Sequence, residues 1–272
     1  MSDKVLLHVE GSARGEWALA VAALLQRYMQ AEVTFLCTEE TAPRLETILD
    51  RANAQWGLAW KGLPRVMRPG TAEEIILTEA RAQPYDLIVL APAGRLGLLR
   101  LLQGSRVGRV ARAANASVLV ARAPLRALER ILVAIAGNPR SEDVLAEAMH
   151  FARAFRARLT VLHVLSAVPL TFAGLSEREP ALADFLASDA MAARQMRETR
   201  AQLAAEGLEV DVRLRVGLVV EEILAEIAQE GYDLLVIGAH LPVRPLNGLV
   251  EDIANQLICF SPISTLAVRP PA

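Results

Sequence analysis

YDLIVLAPAG at residues 85–94 and YDLLVIGAHL at residues 232–241 decide the fold. Each decad sets a polar pair before a short apolar run and closes it on small residues, the pattern of a buried parallel strand breaking into a loop. One pattern written twice at a wide interval implies a repeated architecture before any single motif is weighed.

Working outward, VLLHVEG (5–11) aligns with ILVAIAG (131–137), and AEVTFLCT (31–38) with ARLTVLHV (157–164), both 126 positions apart. From Gly70 and Gly217, through Tyr85 and Tyr232, to SVLVAR (117–122) and STLAVR (264–269), the separation is 147 with no further gap. The second half therefore carries 21 additional residues, the difference between the two separations, inside 165–210. There SAVPLTFAGLSEREP (166–180) precedes a predicted helix over about 181–206. The insertion reads as a cover over the second half's cleft, as a partner-binding element, or as a surface connection tolerated without function.

Predicted strands in the first half fall near 4–10, 32–38, 63–68, 86–91 and 117–122, with helices near 14–30, 42–56, 71–83 and 104–115. Apolar strands alternating with amphipathic helices predict an α/β chain of two tandem doubly wound domains. Each is a mostly parallel five-stranded sheet with helices on both faces. The expected domains are 1–123 and 129–272, joined by APLRALER (123–130). SVLVAR and STLAVR are candidate edge strands through which the halves would pack as an intramolecular pseudo-dimer.

Composition narrows the partners. The 272 residues suit two domains of roughly 150 residues each. They are 53% hydrophobic but only 4% aromatic, so the core must be built from Ala, Leu, Val and Ile. A net charge of −2 with both signs interspersed provides no field for nucleic acid or for an acidic membrane surface. Cys37 and Cys259 stand far apart inside apolar runs and read as free thiols of a reducing compartment. MSDKVLLHVEGS enters a strand without a basic or long apolar leader, and no run reaches the ~18 apolar residues of a membrane span. A cytoplasmic location is the expectation.

Ligands of such sheets bind at the carboxyl ends of the strands, where strand order reverses. After the fourth strand, APAGRLGLLRLLQGSRVGRVARAANASVLVAR (91–122) places Ala91, Gly94, Gly104 and Ser105 in an A-x2-G-x9-G-S spacing. Glycines let backbone approach a phosphate, and a helix opening at Gly104-Ser105 aims N–H groups and a positive dipole end at it. The same residues also serve as turn glycines and an N-cap. The segment resembles the universal stress protein family, whose nucleotide-binding members carry G-x2-G-x9-G-[ST] here, and the resemblance extends over nearly the whole chain as two family domains in tandem. It implies adenine nucleotide, ATP or AMP, which Mg could accompany. By the same resemblance Glu10 stands where family members carry an Asp near adenine and ribose, and Thr38 where they contact the base. Leu90 precedes the phosphate loop, and Ala91 replaces the family's first glycine. Arg106, beside Ser105, is the best cationic candidate; with Arg109 and Arg112 it also reads as a solvated basic face.

Carried into the second half, Ala91, Gly94, Gly104 and Ser105 become Gly238, Leu241, Glu251 and Asp252, while Glu10 becomes Ala136. Two carboxylates at the helix N-terminus complement its dipole but repel a triphosphate, so no nucleotide is expected there. His240 lacks a nucleophile at matching spacing. His8, His150 and His163 lack metal-ligand spacing, so neither catalytic nor metal residues are assigned. EGSARGE (10–16) follows the first strand without an SGGxDS pattern, and no HIGH-like signature occurs. The expectation is a nucleotide-binding regulatory or stress-response factor with its site in the first half, not an enzyme. The alternative is a nucleotide-independent interaction protein of the same fold that recruits a protein partner. A homodimer of the two-domain chain fits either.

Overall fold

The computed structural model describes residues 3–57, 60, 62–92, 106–166, 182–239 and 253–270. The chain divides into two compact units, Met1–Ala127 with Ile258–Arg269, and Leu128–Leu257 with Pro270–Ala272.

In the first unit β1 (Lys4–His8), β2 (Glu32–Thr38), β3 (Arg65–Arg68), β4 (Leu87–Leu90) and β5 (Ser117–Val120) form a parallel sheet in the order β3-β2-β1-β4-β5. Helices α1 (Gly15–Met29), α2 (Ala42–Trp56), α3 (Ala72–Ala82) and α4 (Arg106–Ala113) alternate with them. Eight successive residues of α1, Ala18–Leu25, are buried, as the apolar composition requires of a helix in the interior. A capping box starts α3: the Thr71 hydroxyl accepts from Glu74 N, and the Thr71 N–H donates to the Glu74 carboxylate at 2.8 Å.

The chain's last strand, β10 (Ser264–Val268), also belongs to this unit and runs antiparallel to β5. The repeat boundary and the compact unit thus part company at this strand, and β5 is paired on both sides instead of forming an edge. Leu119 faces Leu266, its own equivalent 147 positions on. The surrounding bonds are reciprocal: Arg122 N donates to Ser264 Oγ at 3.2 Å, and Arg269 N to Ser117 Oγ at 3.1 Å. The Arg122 guanidinium also donates to the Ile258 and Cys259 carbonyls, and that of Arg269 to the Arg112 carbonyl.

In the second unit β6 (Arg130–Ile135), β7 (Arg158–Ser166), β8 (Val210–Gly217) and β9 (Leu234–Gly238) are parallel in the order β9-β6-β7-β8. The helices are α5 (Ser141–Phe155), α6 (Leu182–Ala187), α7 (Met191–Ala205), α8 (Val219–Glu230) and α9 (Ile253–Phe260), the last ending in the first unit. The single helix expected over 181–206 is broken between α6 and α7. There the Ser188 hydroxyl takes the Phe185 carbonyl at 2.6 Å and accepts from Ala190 N, a local alternative to helical bonding. Among the described residues no helix is long and apolar enough to cross a membrane. Both cysteines are free thiols; Cys37 is buried, which pushes its thiol pKa up, and Cys259 is half-buried.

The opening decads now have a physical meaning. Asp86 Oδ2 accepts from the backbone N–H of Lys4 at 2.8 Å, and Asp233 Oδ2 from that of Arg130 at 2.9 Å, so each Asp binds the start of the neighbouring strand. Tyr85 donates to Glu79 at 3.2 Å and Tyr232 to Glu226 at 2.9 Å. Both glutamates are buried, and each meets an arginine: Arg68 Nε to Glu79 at 2.8 Å, Arg215 Nε to Glu226 at 2.7 Å. Burial, reinforced by the glutamate, pushes the Tyr232 phenol up to about 12. In the second unit Arg213 adds another ion pair to Glu226 at 3.0 Å. A buried carboxylate held by three donors is costly to remove, because its partners lose their charge complement. Glu226→Ala is expected to lower the stability of the second unit by ~2 kcal/mol, less than for a wholly buried pair because both arginines reach solvent. Urea denaturation, with the more exposed Glu222→Ala as control, checks this; equal midpoints for the two variants would contradict it.

Candidate functional site

Strand order reverses between β1 and β4, so the crevice at their carboxyl ends is where a doubly wound sheet offers a ligand site. Glu10 lies just beyond β1 and Ala91 just beyond β4. Arg106, the first residue of α4, joins them: its guanidinium pairs with the Glu10 carboxylate and donates to the Ala91 carbonyl at 3.0 Å. Both side chains are less than one-fifth exposed. The Ser12 hydroxyl donates to the other Glu10 oxygen at 3.1 Å and accepts from Gly15 N at 3.2 Å. Gly15 has no substitute, because a Cβ there would stand 2.3 Å from the Glu10 carbonyl oxygen. The EGSARGE turn is therefore built to fold tightly back on Glu10.

His8 ends β1, two residues before Glu10. It is only 2% exposed, and neither ring nitrogen has a hydrogen-bond partner among the described residues. Burial, helped by the Arg106 cation and opposed by Glu10, holds its pKa down to about 4. The histidine is therefore neutral beneath a carboxylate–guanidinium pair.

Beside Glu10 opens a cavity of about 150 Å³, walled by Gly11 and Ser12 on one side and by Leu19, Ile48, Ala52 and Trp56 on the others. Arg51 of α2 and Glu16 of α1, both in its lining, pair at 3.3 Å, an exposed pair that contributes little stability. Glu10, Glu16, Arg51 and Gln55 also line it, so polar and apolar groups face the cavity together. Trp56 and Ile48 escaped the sequence reading, although the helical spacing of Ile48, Ala52 and Trp56 places them on one face of α2.

Of the eight predicted site residues, Glu10, Ala91 and Arg106 come together. Thr38 ends β2, its hydroxyl 3.2 Å from that of Thr41. Leu90 is wholly buried in β4 and its carbonyl accepts from Ala121 N at 2.9 Å, so it contributes packing to this corner. Ala91 has no left-handed backbone, so its methyl carries no strain of that kind. Gly94, Gly104 and Ser105 lie outside the described residues, as do Leu241, Glu251 and Asp252 in the second half.

In the second unit's counterpart the three polar residues of the first are replaced by apolar ones. The positions of His8, Glu10 and Arg106 hold Ala134, Ala136 and Ile253. The crevice is filled by the chain: Ala192 of α7 packs against Gly137, where a Cβ would stand 2.7 Å from the Ala192 methyl. Gln195 donates to the Asn138 carbonyl at 3.1 Å, and Phe185 of α6 stacks on His163. Of the three readings of the insertion, these contacts favour the cover.

The sequence model of the universal stress protein family matches residues 38–122 and 127–269. Among solved structures the chain is similar to a universal stress protein from Archaeoglobus fulgidus DSM 4304, at 17% identity and TM-score 0.68, with 99% of this chain and 97% of that one covered. It is also similar to a putative universal stress protein from Pseudomonas aeruginosa UCBPP-PA14, at 18% identity and TM-score 0.67, covering 99% and 94%. These likenesses show the fold. No curated protein matches.

The burial of His8 generates a pH prediction. Its folded pKa of about 4 lies below its ordinary 6.5, so the folded state binds fewer protons than the unfolded state between those values. Stability is unaffected above this window and falls as pH drops through it. Thermal unfolding of the parent is expected to weaken more from pH 7 to pH 5 than that of His8→Leu; parallel declines would contradict the assignment.

Proposed function

Because the chain belongs to the universal stress protein family, we propose that it binds one adenine nucleotide, ATP or AMP, in the first unit and acts as a regulatory, stress-response factor without turnover. The observation that carries this reading is the asymmetry of the two crevices. One keeps a polar pair beside a cavity of mixed lining, and in the other the described side chains pack together. The residues present suit such a ligand: Leu19, Ile48 and Trp56 offer an apolar wall to a base, and Glu10 offers acceptors to ribose hydroxyls. Gly94, Gly104 and Ser105 complete the phosphate side by their sequence pattern, at the opening of α4. Arg106 is shared in this scheme, since a phosphate competes with Glu10 for its guanidinium. Mg would accompany the phosphates of ATP.

One observation favours the alternative reading, a protein that recruits a partner without nucleotide. The charge of Arg106 is already matched by Glu10, with the Ala91 carbonyl as a further acceptor, although its Nε is buried without a partner among the described residues. Calorimetric titration with ATP and AMP separates the two. The proposed function predicts one equivalent per chain, lost in the Gly104→Glu/Ser105→Asp double variant. Absence of saturable binding, or binding that survives the double variant, contradicts it.

A further inference from the structure

At the amino ends of β6, β7 and β8 the second unit holds an open cleft of about 720 Å³, within the roughly 300–1,000 Å³ range of small-molecule sites. Glu129 precedes β6, Arg158 begins β7 and Glu209 precedes β8, while Arg156 ends α5 and Gly207 follows α7. Backbone bonds tie these walls together: Arg158 N donates to the Glu129 carbonyl at 2.8 Å, and Leu159 N to the Glu209 carbonyl at 3.0 Å. The cleft belongs wholly to the second unit and opens at the end of its sheet away from the carboxyl ends.

Three arginines and three glutamates line it. Arg153 and Glu206 pair through two bonds of 2.6 and 2.7 Å, and Arg158 meets Glu209 at 2.6 Å. These exposed pairs contribute little stability, but they cancel four of the six charges. Arg156 and Glu129 are left over. Among the described residues neither side chain has an ion-pair partner, and the two do not reach each other although both face the cleft. Folding does not demand the guanidinium. Arg156 is the left-handed cap of α5 at φ 53°, and the first half sets Gln30 at the same place after α1, at φ 56°. An uncharged side chain serves that cap equally, so the cation is free for a ligand. The uncharged lining is small or apolar: Ala157 is buried, Leu208 half-buried, and open space lies where a Cβ of Gly207 would stand.

We propose that this cleft binds a small zwitterion, a free amino acid or a short peptide, with its carboxylate on Arg156, its ammonium on Glu129 and an apolar side chain over Ala157 and Leu208. A guanidinium matches a carboxylate with two parallel bonds, and a glutamate accepts from an ammonium. A ligand bearing both charges leaves the cleft neutral. A lone anion satisfies Arg156 but stands beside Glu129, Glu206 and Glu209, which repel it. Nothing in the cleft depends on the nucleotide proposed for the first unit.

The full chain, isotopically labelled, is titrated with L-leucine and with leucyl-leucine while NMR follows the amides of Ala157 and Gly207 and the Arg156 Nε–H. At least one probe should saturate shifts at all three positions, and the tighter of the two tells amino acid from peptide. Arg156→Gln, which places there the side chain the first half already carries at this cap, and Glu129→Gln should each weaken that binding about tenfold or more, as loss of a charge-assisted contact requires. Arg194→Gln, on α7 outside the cleft, should leave it unchanged. Isocaproate and isopentylamine keep one charge each and need no variant; each should bind about tenfold or more weakly than the better probe. No saturable shift with either probe overturns the proposal, as does binding that survives both glutamine variants. Isocaproate bound as tightly as the better probe marks a plain anion site and overturns it too.

Discussion

The rest of the structure depends on parallel central strands that are buried on both faces. Leu87–Leu90, Ser117–Val120 and Leu234–Gly238 have no exposed residue, so the strands cannot carry chemistry along their length. Polar groups are confined to strand ends or to compensated clusters between sheet and helix. The compensated clusters are Glu79 with Arg68 and Tyr85, and Glu226 with Arg215, Arg213 and Tyr232. What remains for function is the ends of the strands, among them the carboxyl end of β1 and β4 in one unit and of β6 and β9 in the other.

At those two ends the repeat has been put to opposite uses. The first keeps a neutral buried histidine under a carboxylate–guanidinium pair, beside a cavity walled by α1 and α2. The second has exchanged all three polar residues for Ala134, Ala136 and Ile253 and closed the corner with Phe185, Ala192 and Gln195. An isolated Glu10 or Arg106 would be an uncompensated charge at a nearly buried place, so losing both together is the consistent change. The cover and the loss of charge belong to one account of the asymmetry.

Much of this was legible in the residues. The YD pairs, the apolar runs and the constant 147-residue register located the strands of the first half to within a few residues, because buried parallel strands have a dense local signature. SVLVAR and STLAVR are legible as candidate edge strands, but their antiparallel pairing and the reciprocal Arg122–Ser264 and Arg269–Ser117 bonds need coordinates. The Arg106–Glu10 pair spans 96 residues, and no local pattern encodes such a contact. A signal did exist, since Ala136 and Ile253 change together at the equivalent positions. The plug was visible only as 21 residues of excess length; that Phe185 turns inward while its helix stays on the surface depends on the break at Ser188, not on hydrophobic periodicity.

The central claim is that one crevice receives a ligand and the other is filled by the chain. Photolabelling with an azido-adenosine triphosphate, followed by peptide mapping, addresses it most directly. The account predicts label in peptides containing residues 10–12 or 48–56, and none in those containing 135–138 or 182–196. Label in the second set, label shared equally between the two, or no specific label at all would contradict it.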